Sequence, residues 1–228
     1  MLKARHTDDA TQEVGIDEAG RGCLWGPLVA AAVIWPEEST WTEDIRLISS
    51  QIKDSKKITP KRRKVLEAAI KQYAIGWSLG KVEATEIDSL GMTKSNRLVF
   101  ERALSGLSLN SGPKRVLIDG LIHISPQTDM EQIVEPNGDG TYLSIAAASI
   151  LAKEGRDAIV SELCTKDPSL DDKYFLLSSK GYGTLKHRQG IQKNGMDAGH
   201  RRLFLRKLLG IEHVTSADSP DHYHFIDD

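Results

Sequence analysis

Four acidic residues lie where the sequence predicts a strand to end or the chain to turn, and they are the best candidates for chemistry. They are Asp17, Glu18, Asp119 and Asp139. Asp17 and Asp119 each close an apolar segment at its C-terminal end. In an α/β sheet, that edge is where ligand sites assemble. We therefore expect these side chains to meet in one place.

Carboxylates that cluster repel one another and need a divalent cation to stay charged together at neutral pH. Oxygen-only ligands favour Mg²⁺ or Mn²⁺, and two such ions about 3.5–4 Å apart can stabilise the attacking and leaving oxygens at phosphorus. The alternative is that one or more of these acids are helix caps or turn residues. It applies best to Asp139, which lies in an Asn-Gly-Asp-Gly turn.

A glycine-bracketed arginine, Gly20-Arg21-Gly22, directly follows the first two acids. Glycines let backbone amides approach a sugar-phosphate closely. Because a 2′-hydroxyl both donates and accepts hydrogen bonds, such a backbone could distinguish RNA from DNA. Loops of this type are common. The inference of a substrate-binding loop therefore depends on its proximity to Asp17 and Glu18.

The net charge of −2 over 228 residues hides an uneven distribution. Segment 53–64 has seven Lys/Arg and one acid, and segment 180–207 has eight Lys/Arg and one acid, whereas segment 211–228 has five acids and no Lys/Arg. Basic segments on a near-neutral chain indicate a polyanion-binding face. Solvated helix faces are the alternative, and we expect one for the basic run 61–64.

Composition excludes several classes of protein. No apolar run approaches the roughly 18 residues of a membrane span, and the N-terminus lacks the apolar core of a signal peptide. The two cysteines, Cys23 and Cys164, make neither a disulfide framework nor a zinc motif. We therefore expect reduced cysteines in a cytoplasmic protein.

Hydrophobic periodicity and turn residues predict alternating strands and helices. The predicted strands are 13–17, 28–35, 74–82, 115–119 and 131–134. The predicted helices are 45–52, 60–73 with Thr59 as cap, 84–107 interrupted near Gly91 with Thr93 capping its second part, 143–163, 185–194 and 199–209. Residues 1–12 are expected to be frayed, and the acidic tail 211–228 to be mobile.

Six ordered motifs carry a family resemblance. They are GIDEAGRG at 15–22, DSKK at 54–57, LIDG at 117–120, SIAAASILAK at 144–153, KGYGT at 180–184 and HRR at 200–202. Over about 13–209 the chain resembles bacterial ribonuclease HII. The resemblance implies a ribonuclease H-like α/β fold, with a mixed five-stranded sheet flanked by helices at 13–175. It also implies a helical C-terminal extension at 176–210 that contacts nucleic acid.

The resemblance also implies an activity. The family hydrolyses the phosphodiester on the 5′ side of ribonucleotides embedded in duplex DNA, and the RNA of RNA–DNA hybrids. It uses Mg²⁺ or Mn²⁺, and two ions are expected in the active complex. The products carry a 3′-hydroxyl and a 5′-phosphate. We expect a monomer with these nucleic acids as partners and no membrane contact.

Position by position, the resemblance assigns Asp17, Glu18, Asp119 and Asp139 as catalytic, metal-binding acids. It assigns the substrate-binding residues Gly20, Arg21, Gly22, Lys56, Lys57, Tyr182 and Arg201. The loop 20–22 matches the segment that contacts the 2′-hydroxyl and phosphates, and Tyr182 matches the tyrosine that packs on the following deoxyribose. Lys56 and Lys57 match a basic loop near the phosphates. His187 and His200 are expected to form hydrogen bonds or face phosphates rather than bind metal.

The sequence departs from the family pattern in three places. Cys23-Leu24-Trp25 replaces the usual Pro-Leu-Ala, so Trp25 is expected either at the rim of the site or in the core. The lysine that commonly follows the fourth acid is missing, which makes Asp139 the least secure assignment. The tail has no sliding-clamp motif.

Two rival functions stay open at this point. One is another ribonuclease H-like nuclease, such as a junction resolvase or a 3′–5′ exonuclease, which would share the carboxylates. The other is a non-catalytic nucleic-acid-binding module with a relic site.

Overall fold

A mixed five-stranded sheet with helices on both faces forms the centre of the protein, as expected. The computed structural model describes residues 1–107, 113–124 and 129–209. The strands are β1 (Glu13–Ala19), β2 (Leu28–Ile34), β3 (Gly76–Val82), β4 (Arg115–Asp119) and β5 (Glu131–Glu135). They lie in the order β3-β2-β1-β4-β5. β1 is antiparallel to β2 and parallel to β4.

Helices cover this sheet on both sides. They are α1 (Glu43–Gln51), α2 (Pro60–Tyr73), α3 (Ala84–Leu90), α4 (Met92–Ser105), α5 (Leu143–Lys166), α6 (Ser169–Tyr174), α7 (Leu176–Ser179), α8 (Leu185–Asn194) and α9 (Arg202–Leu209). One face of the sheet packs on α4, and the other packs on α2 and α5. No helix in the described part of the chain is long and apolar enough to cross a membrane.

Small residues bring α5 close to the sheet. A Cβ atom added at Gly15 of β1 would lie 2.3 Å from the backbone carbon of Ser144 in α5. Any larger residue there would push the helix away from the strand. The small apolar first half of α5, with Ala146, Ala147 and Ala148 fully buried, suits the same close contact.

Strand pairing fixes where the candidate acids emerge. In the parallel pair of β1 and β4, Ile16 lies opposite Ile118. Asp17 and Asp119 are the next residues along these strands, so both reach the same end of the sheet. The predicted convergence of these two acids follows from this register.

The C-terminal helices pack against the loop that follows β1. Leu24 and Trp25 from this loop are buried with Val160 of α5, Ile191 of α8 and Leu205 of α9. This apolar cluster joins the loop to the last helices. The sequence prediction missed α6 and α7, and it began the final helix three residues before Arg202.

Three other local predictions were wrong or incomplete. Residues 1–12 are not frayed, because the Lys3 amide donates to the Thr141 carbonyl at 2.8 Å and Asp9 pairs with buried Arg115 at 2.9 Å. Gly91, rather than Thr93, caps α4. β1 continues to Ala19, so Glu18, which was predicted to follow the strand, lies within it. The tail 211–228 lies outside the described residues.

Candidate active site

Asp17 and Glu18 project to opposite sides of β1 because successive residues of a strand alternate in direction. Asp17 is 6% exposed and is hydrogen-bonded by Ser149 of α5. Its Oδ1 also accepts from the Glu18 amide at 2.7 Å. Glu18 is half-buried and is hydrogen-bonded by Asn96 of α4. Each acid is therefore oriented by the helix on its own side.

Asp119 and Asp139 are joined through a short turn. Asp119 ends β4, and its Oδ1 accepts from the Gly138 amide at 2.7 Å. Gly138 begins the 3₁₀ turn Gly138–Gly140 that carries Asp139, which is 8% exposed. Asp139 in turn forms a side-chain hydrogen bond with Asp54. The structure thus places the fourth acid beside the third.

Burial and mutual repulsion raise the pKa of all four acids. Burial is the largest cause for Asp17, whose pKa lies well above its ordinary value, with the charges of Glu18 and Asp119 adding to the shift. Burial raises the pKa of Glu18 to about 7. Burial is also the main cause of the raised pKa of Asp119 and Asp139. The positive charge near these carboxylates is too small to keep their pKa values at the ordinary level.

Such a donor set fits a hard divalent cation. Oxygen ligands and uncompensated negative charge are the requirements of Mg²⁺ or Mn²⁺. Within residues 1–107, 113–124 and 129–209, no three His, Cys, Asp or Glu side chains already converge closely enough to hold an ion. Binding would have to draw the carboxylates together.

All four acids line one cleft with most of the predicted substrate-binding residues. The cleft is lined by Asp17, Glu18, Ala19, Gly20, Arg21, Gly22, Ser55, Lys56, Arg63, Asp119, Asp139, Ser149, Lys153 and Tyr182. Lys57 is absent from this lining, since it is 72% exposed and pairs with Asp54 at 3.5 Å. Of the two lysines, the structure brings Lys56 to the acids.

Two basic residues in the cleft were missed as site residues. Arg63 was predicted on a solvated helix face, but it is buried, donates to Glu154 at 2.6 Å and to the Ser55 carbonyl at 3.1 Å. Lys153 follows Ser149 by four residues on α5, so the two side chains share one helix face. That spacing could have identified Lys153 from sequence.

Two buried arginines hold the loop 20–27 in place. Arg156 donates to the carbonyls of Trp25 at 2.8 Å and Pro27 at 3.0 Å. Arg201 donates to the carbonyls of Gly26 and Arg21, each at 3.0 Å. Arg201 is fully buried and does not line the cleft, so the structure does not bring it to the predicted substrate-binding residues. It supports the loop from behind.

Tyr182 stands at the edge of the cleft with 38% of its surface exposed. The ammonium of Lys153 lies 5.3 Å from the centre of its ring. Burial raises the pKa of its hydroxyl to about 12, so the phenol is neutral at physiological pH. A neutral, partly exposed aromatic ring suits packing against a sugar.

Trp25, which was left between rim and core, is 2% exposed and belongs to the core. Its indole Nε1 donates to Asp197 Oδ1 at 2.7 Å. His187 and His200 form hydrogen bonds, as expected, through their Nε2 atoms at 3.2 Å. Cys23 and Cys164 are buried and unpaired with each other.

Comparison with known proteins decides the family. The family model for ribonuclease HII matches residues 14–207. The chain belongs to the ribonuclease HII family. Ribonuclease HII of Parabacteroides distasonis is 42% identical over 192 residues, covering 84% of this chain and 89% of that protein. Ribonuclease HII of Synechocystis is 38% identical over 195 residues, covering 86% and 97%.

Solved structures share the fold of this protein. The ribonuclease H2 of Pyrococcus horikoshii superposes with a TM-score of 0.69 at 24% identity, covering 87% of this chain and 97% of that one. The ribonuclease HII of Archaeoglobus fulgidus, solved in complex with PCNA, gives a TM-score of 0.66 at 25% identity, covering 84% and 94%. The fold is that of the ribonucleases H2 and H3, and family membership makes the protein an endonuclease of the ribonuclease H type.

Proposed function

We propose that this ribonuclease HII hydrolyses the phosphodiester on the 5′ side of ribonucleotides embedded in duplex DNA, and RNA in RNA–DNA hybrids. The observation that carries the proposal is the shared cleft. Four acids, the loop 20–22 and Tyr182 all line it. Groups suited to hydrolysis therefore lie beside groups suited to reading a ribose and its neighbour.

Asp17, Glu18, Asp119 and Asp139 are the residues that would hold divalent ions. When bound, two Mg²⁺ or Mn²⁺ ions would supply a water of lowered pKa and would stabilise the departing 3′-oxygen. A neighbouring structure, a Bst ribonuclease HIII at 21% identity with a TM-score of 0.65, contains Mn²⁺. The products would be a 3′-hydroxyl and a 5′-phosphate.

The chain's own residues bind and orient the substrate. Gly22 leaves open space, since no heavy atom lies within 4 Å of a Cβ added there. A sugar-phosphate can therefore reach the backbone of this loop, where an amide or carbonyl can pair with a 2′-hydroxyl. Arg21 and Lys56 place positive charge in the cleft for the phosphates.

Tyr182 would pack against the deoxyribose that follows the ribonucleotide. Its ring faces the same cleft as Gly20 and Gly22. Two adjacent sugars would then be read by different means, the first by hydrogen bonds to its 2′-hydroxyl and the second by contact with a flat ring. The described part of the extension, which includes α8, would contact the duplex beyond the cleft.

The test is cleavage of end-labelled duplexes in Mg²⁺ and in Mn²⁺. We expect a single cut 5′ to one embedded ribonucleotide, cuts along an RNA–DNA hybrid, and none in all-DNA duplex or without metal. Cleavage of the all-DNA duplex would favour a resolvase or exonuclease. Metal-independent binding without any cleavage would favour a relic site.

A further inference from the structure

A closed ring of polar contacts between side chains lies behind the loop 180–184, which carries Tyr182 and is called the Tyr182 loop below. His187 Nδ1 lies 2.9 Å from the Tyr182 carbonyl, and His187 Nε2 lies 3.2 Å from His200 Nε2. His200 Nδ1 lies 2.8 Å from Asp197 Oδ1. The same Asp197 oxygen accepts from the Trp25 indole at 2.7 Å. Each side chain thus contacts the next.

The ring closes through the main chain. The Trp25 amide donates to the Gly181 carbonyl at 3.2 Å, and Gly181 is the residue before Tyr182. A Cβ atom added at Gly181 would lie 2.5 Å from the Trp25 carbonyl oxygen, so the two backbone segments are in close contact. The ring therefore joins the loop 20–27 to the Tyr182 loop.

Hydrogen-bonding rules fix where the protons lie. A carbonyl oxygen can only accept, so the nitrogen facing Tyr182 must be the Nδ1–H of His187. In the neutral imidazole of His187, Nε2 is then an acceptor, and His200 must donate from its own Nε2. Burial lowers the pKa of His187, which keeps that ring neutral.

His200 Nδ1 accepts from the Asp197 amide at 3.0 Å and lies 2.8 Å from the Asp197 carboxylate oxygen, so both contacts link His200 to Asp197. The edge of the Tyr174 ring packs on His200 with centroids 4.7 Å apart and closes the remaining side.

The two histidines and Trp25 are enclosed and cannot touch a substrate in the cleft, whereas Asp197 keeps 29% of its side chain exposed. His187 is fully buried, and His200 and Trp25 are each 2% exposed. Breaking one contact would leave a buried polar group unsatisfied, which costs more than the net value of a hydrogen bond. This ring of contacts therefore holds the loop 20–27 and the Tyr182 loop in a fixed relative position.

We propose that this ring positions Tyr182 against the loop 20–22 and so sets the discrimination between a ribo–deoxy junction and continuous RNA. Trp25, His187, His200 and Asp197 are positioning residues in this scheme. The inference rests on the proposed function, in which the two loops read adjacent sugars. A fixed distance between the loops is what makes reading two different sugars selective.

Trp25→Phe is the sharpest test, because it deletes one N–H and keeps an aromatic ring. Trp35→Phe is its matched control, since Trp35 is also buried and its Nε1 donates at 3.1 Å to Ser49 of α1, which is not part of this ring of contacts. We expect Trp25→Phe to lower the ratio of kcat/KM for junction over hybrid substrate by roughly threefold to tenfold, the range of one hydrogen bond. The control should keep the wild-type ratio.

Asp197 supplies a rescue experiment. Asp197→Asn retains an oxygen that accepts from Trp25, whereas Asp197→Ala does not. The alanine variant should lose at least as much as Trp25→Phe, because Asp197 Oδ1 also accepts from the Gly199 amide at 3.1 Å and lies beside His200. The asparagine variant should stay within about twofold of wild type. Equal ratios for wild type and Trp25→Phe, or equal losses in both tryptophan variants, would overturn the proposal.

A readout without substrate separates this proposal from the proposed function. In amide hydrogen exchange, Trp25→Phe should speed exchange at Tyr182 by roughly tenfold, and Trp35→Phe should not. Wild-type enzyme that fails to cut the junction would refute the proposed function. Unchanged exchange at Tyr182 in Trp25→Phe would refute the ring as a positioning device, whatever the cleavage result.

Discussion

The Gly138 amide donates to Asp119 Oδ1 at 2.7 Å, and this one hydrogen bond ties the turn bearing Asp139 to the end of β4. The third acid is therefore both a candidate ion ligand and the anchor of the fourth. An amide that points at a carboxylate also offsets part of its desolvation. The predicted clustering of acids depends on this local contact as much as on strand order.

Gly20 should be the least replaceable residue of the substrate loop. Its φ is +90°, and an added Cβ would lie 2.1 Å from Nε of buried Arg156. We expect Gly20→Ala to lower the free energy of unfolding by at least about 2 kcal/mol. Gly22→Ala, with open space at that position, should change it by less than about 0.5 kcal/mol. Denaturant titration of both variants checks this pair, and equal stabilities would contradict the packing described.

Arg21 and Arg201 should differ in the salt dependence of duplex binding. Arg21 lines the cleft, and loss of one phosphate contact reduces the slope of log K against log salt by about one. Arg201 is buried behind the loop. We expect Arg21→Gln to reduce the slope without lowering the melting temperature. We expect Arg201→Gln to lower the melting temperature without reducing the slope.

Binding titrations at several salt concentrations, made beside thermal melts, separate the two arginines. Catalysis can be prevented in these titrations by omitting metal. A reduced slope in Arg201→Gln at unchanged stability would restore that residue to the substrate-binding surface.

In the metal-free protein, the contribution of the site acids to stability should fall as pH rises. Burial raises the pKa of Glu18 to about 7 from an ordinary 4.5, so between these values the folded state holds a proton that the unfolded state has released. The contribution of this Glu18 proton to the free energy of unfolding is fully present below the unfolded pKa, and it is lost as pH rises through the folded pKa. Asp17 and Asp119 shift in the same direction.

Thermal melts in EDTA from pH 5 to pH 8 measure this dependence. The lowered pKa of His187 acts in the opposite sense over this interval, so the comparison with Glu18→Gln, which cannot ionise, isolates the carboxylate. We expect the melting temperature of wild type to fall relative to that of Glu18→Gln as pH rises. A difference between the two proteins that stays constant with pH, or changes in the other direction, would contradict the electrostatics of the site.

The sequence predicted the strands and most helices because their apolar patterns are strong. The segment 115–119 and the helix from Pro60 to Tyr73 were correct to the residue. The short helices α6 and α7 were missed because their few residues show no periodicity. Phe175, at the end of α6, also adopts a left-handed backbone that its residue type does not suggest.

Contacts between distant segments account for what the sequence could not predict within the site. Arg201 and Arg63 lie in basic runs that resemble nucleic-acid-binding surfaces, yet both are buried. Their partners include the main-chain carbonyls of Gly26 and Ser55, which carry no sequence signal. In contrast, Asp17 and Asp119 could be predicted to meet, since each ends an apolar segment and parallel pairing brings the two together.

Tyr182 should govern the choice between substrates more than the rate of cutting. Tyr182→Ala removes the ring that we place against the deoxyribose, so cleavage at a single ribonucleotide should fall several-fold more than cleavage of a continuous hybrid. Tyr182→Phe keeps the ring and should retain most of the preference, because the exposed face rather than the hydroxyl makes the contact. Parallel kcat/KM measurements on both substrates provide the test, and equal losses in Tyr182→Ala would remove this role.

The most direct measurement is cleavage of a DNA duplex containing one ribonucleotide by wild type and by Asp17→Asn, each with and without Mg²⁺. Asp17→Asn keeps the size of the side chain and removes a charge that would hold an ion, so we expect a loss of at least roughly a hundredfold in kcat at unchanged folding. Wild type should cut once, 5′ to the ribonucleotide, and only with metal. Undiminished cutting by Asp17→Asn would contradict the assignment of these carboxylates as the catalytic centre.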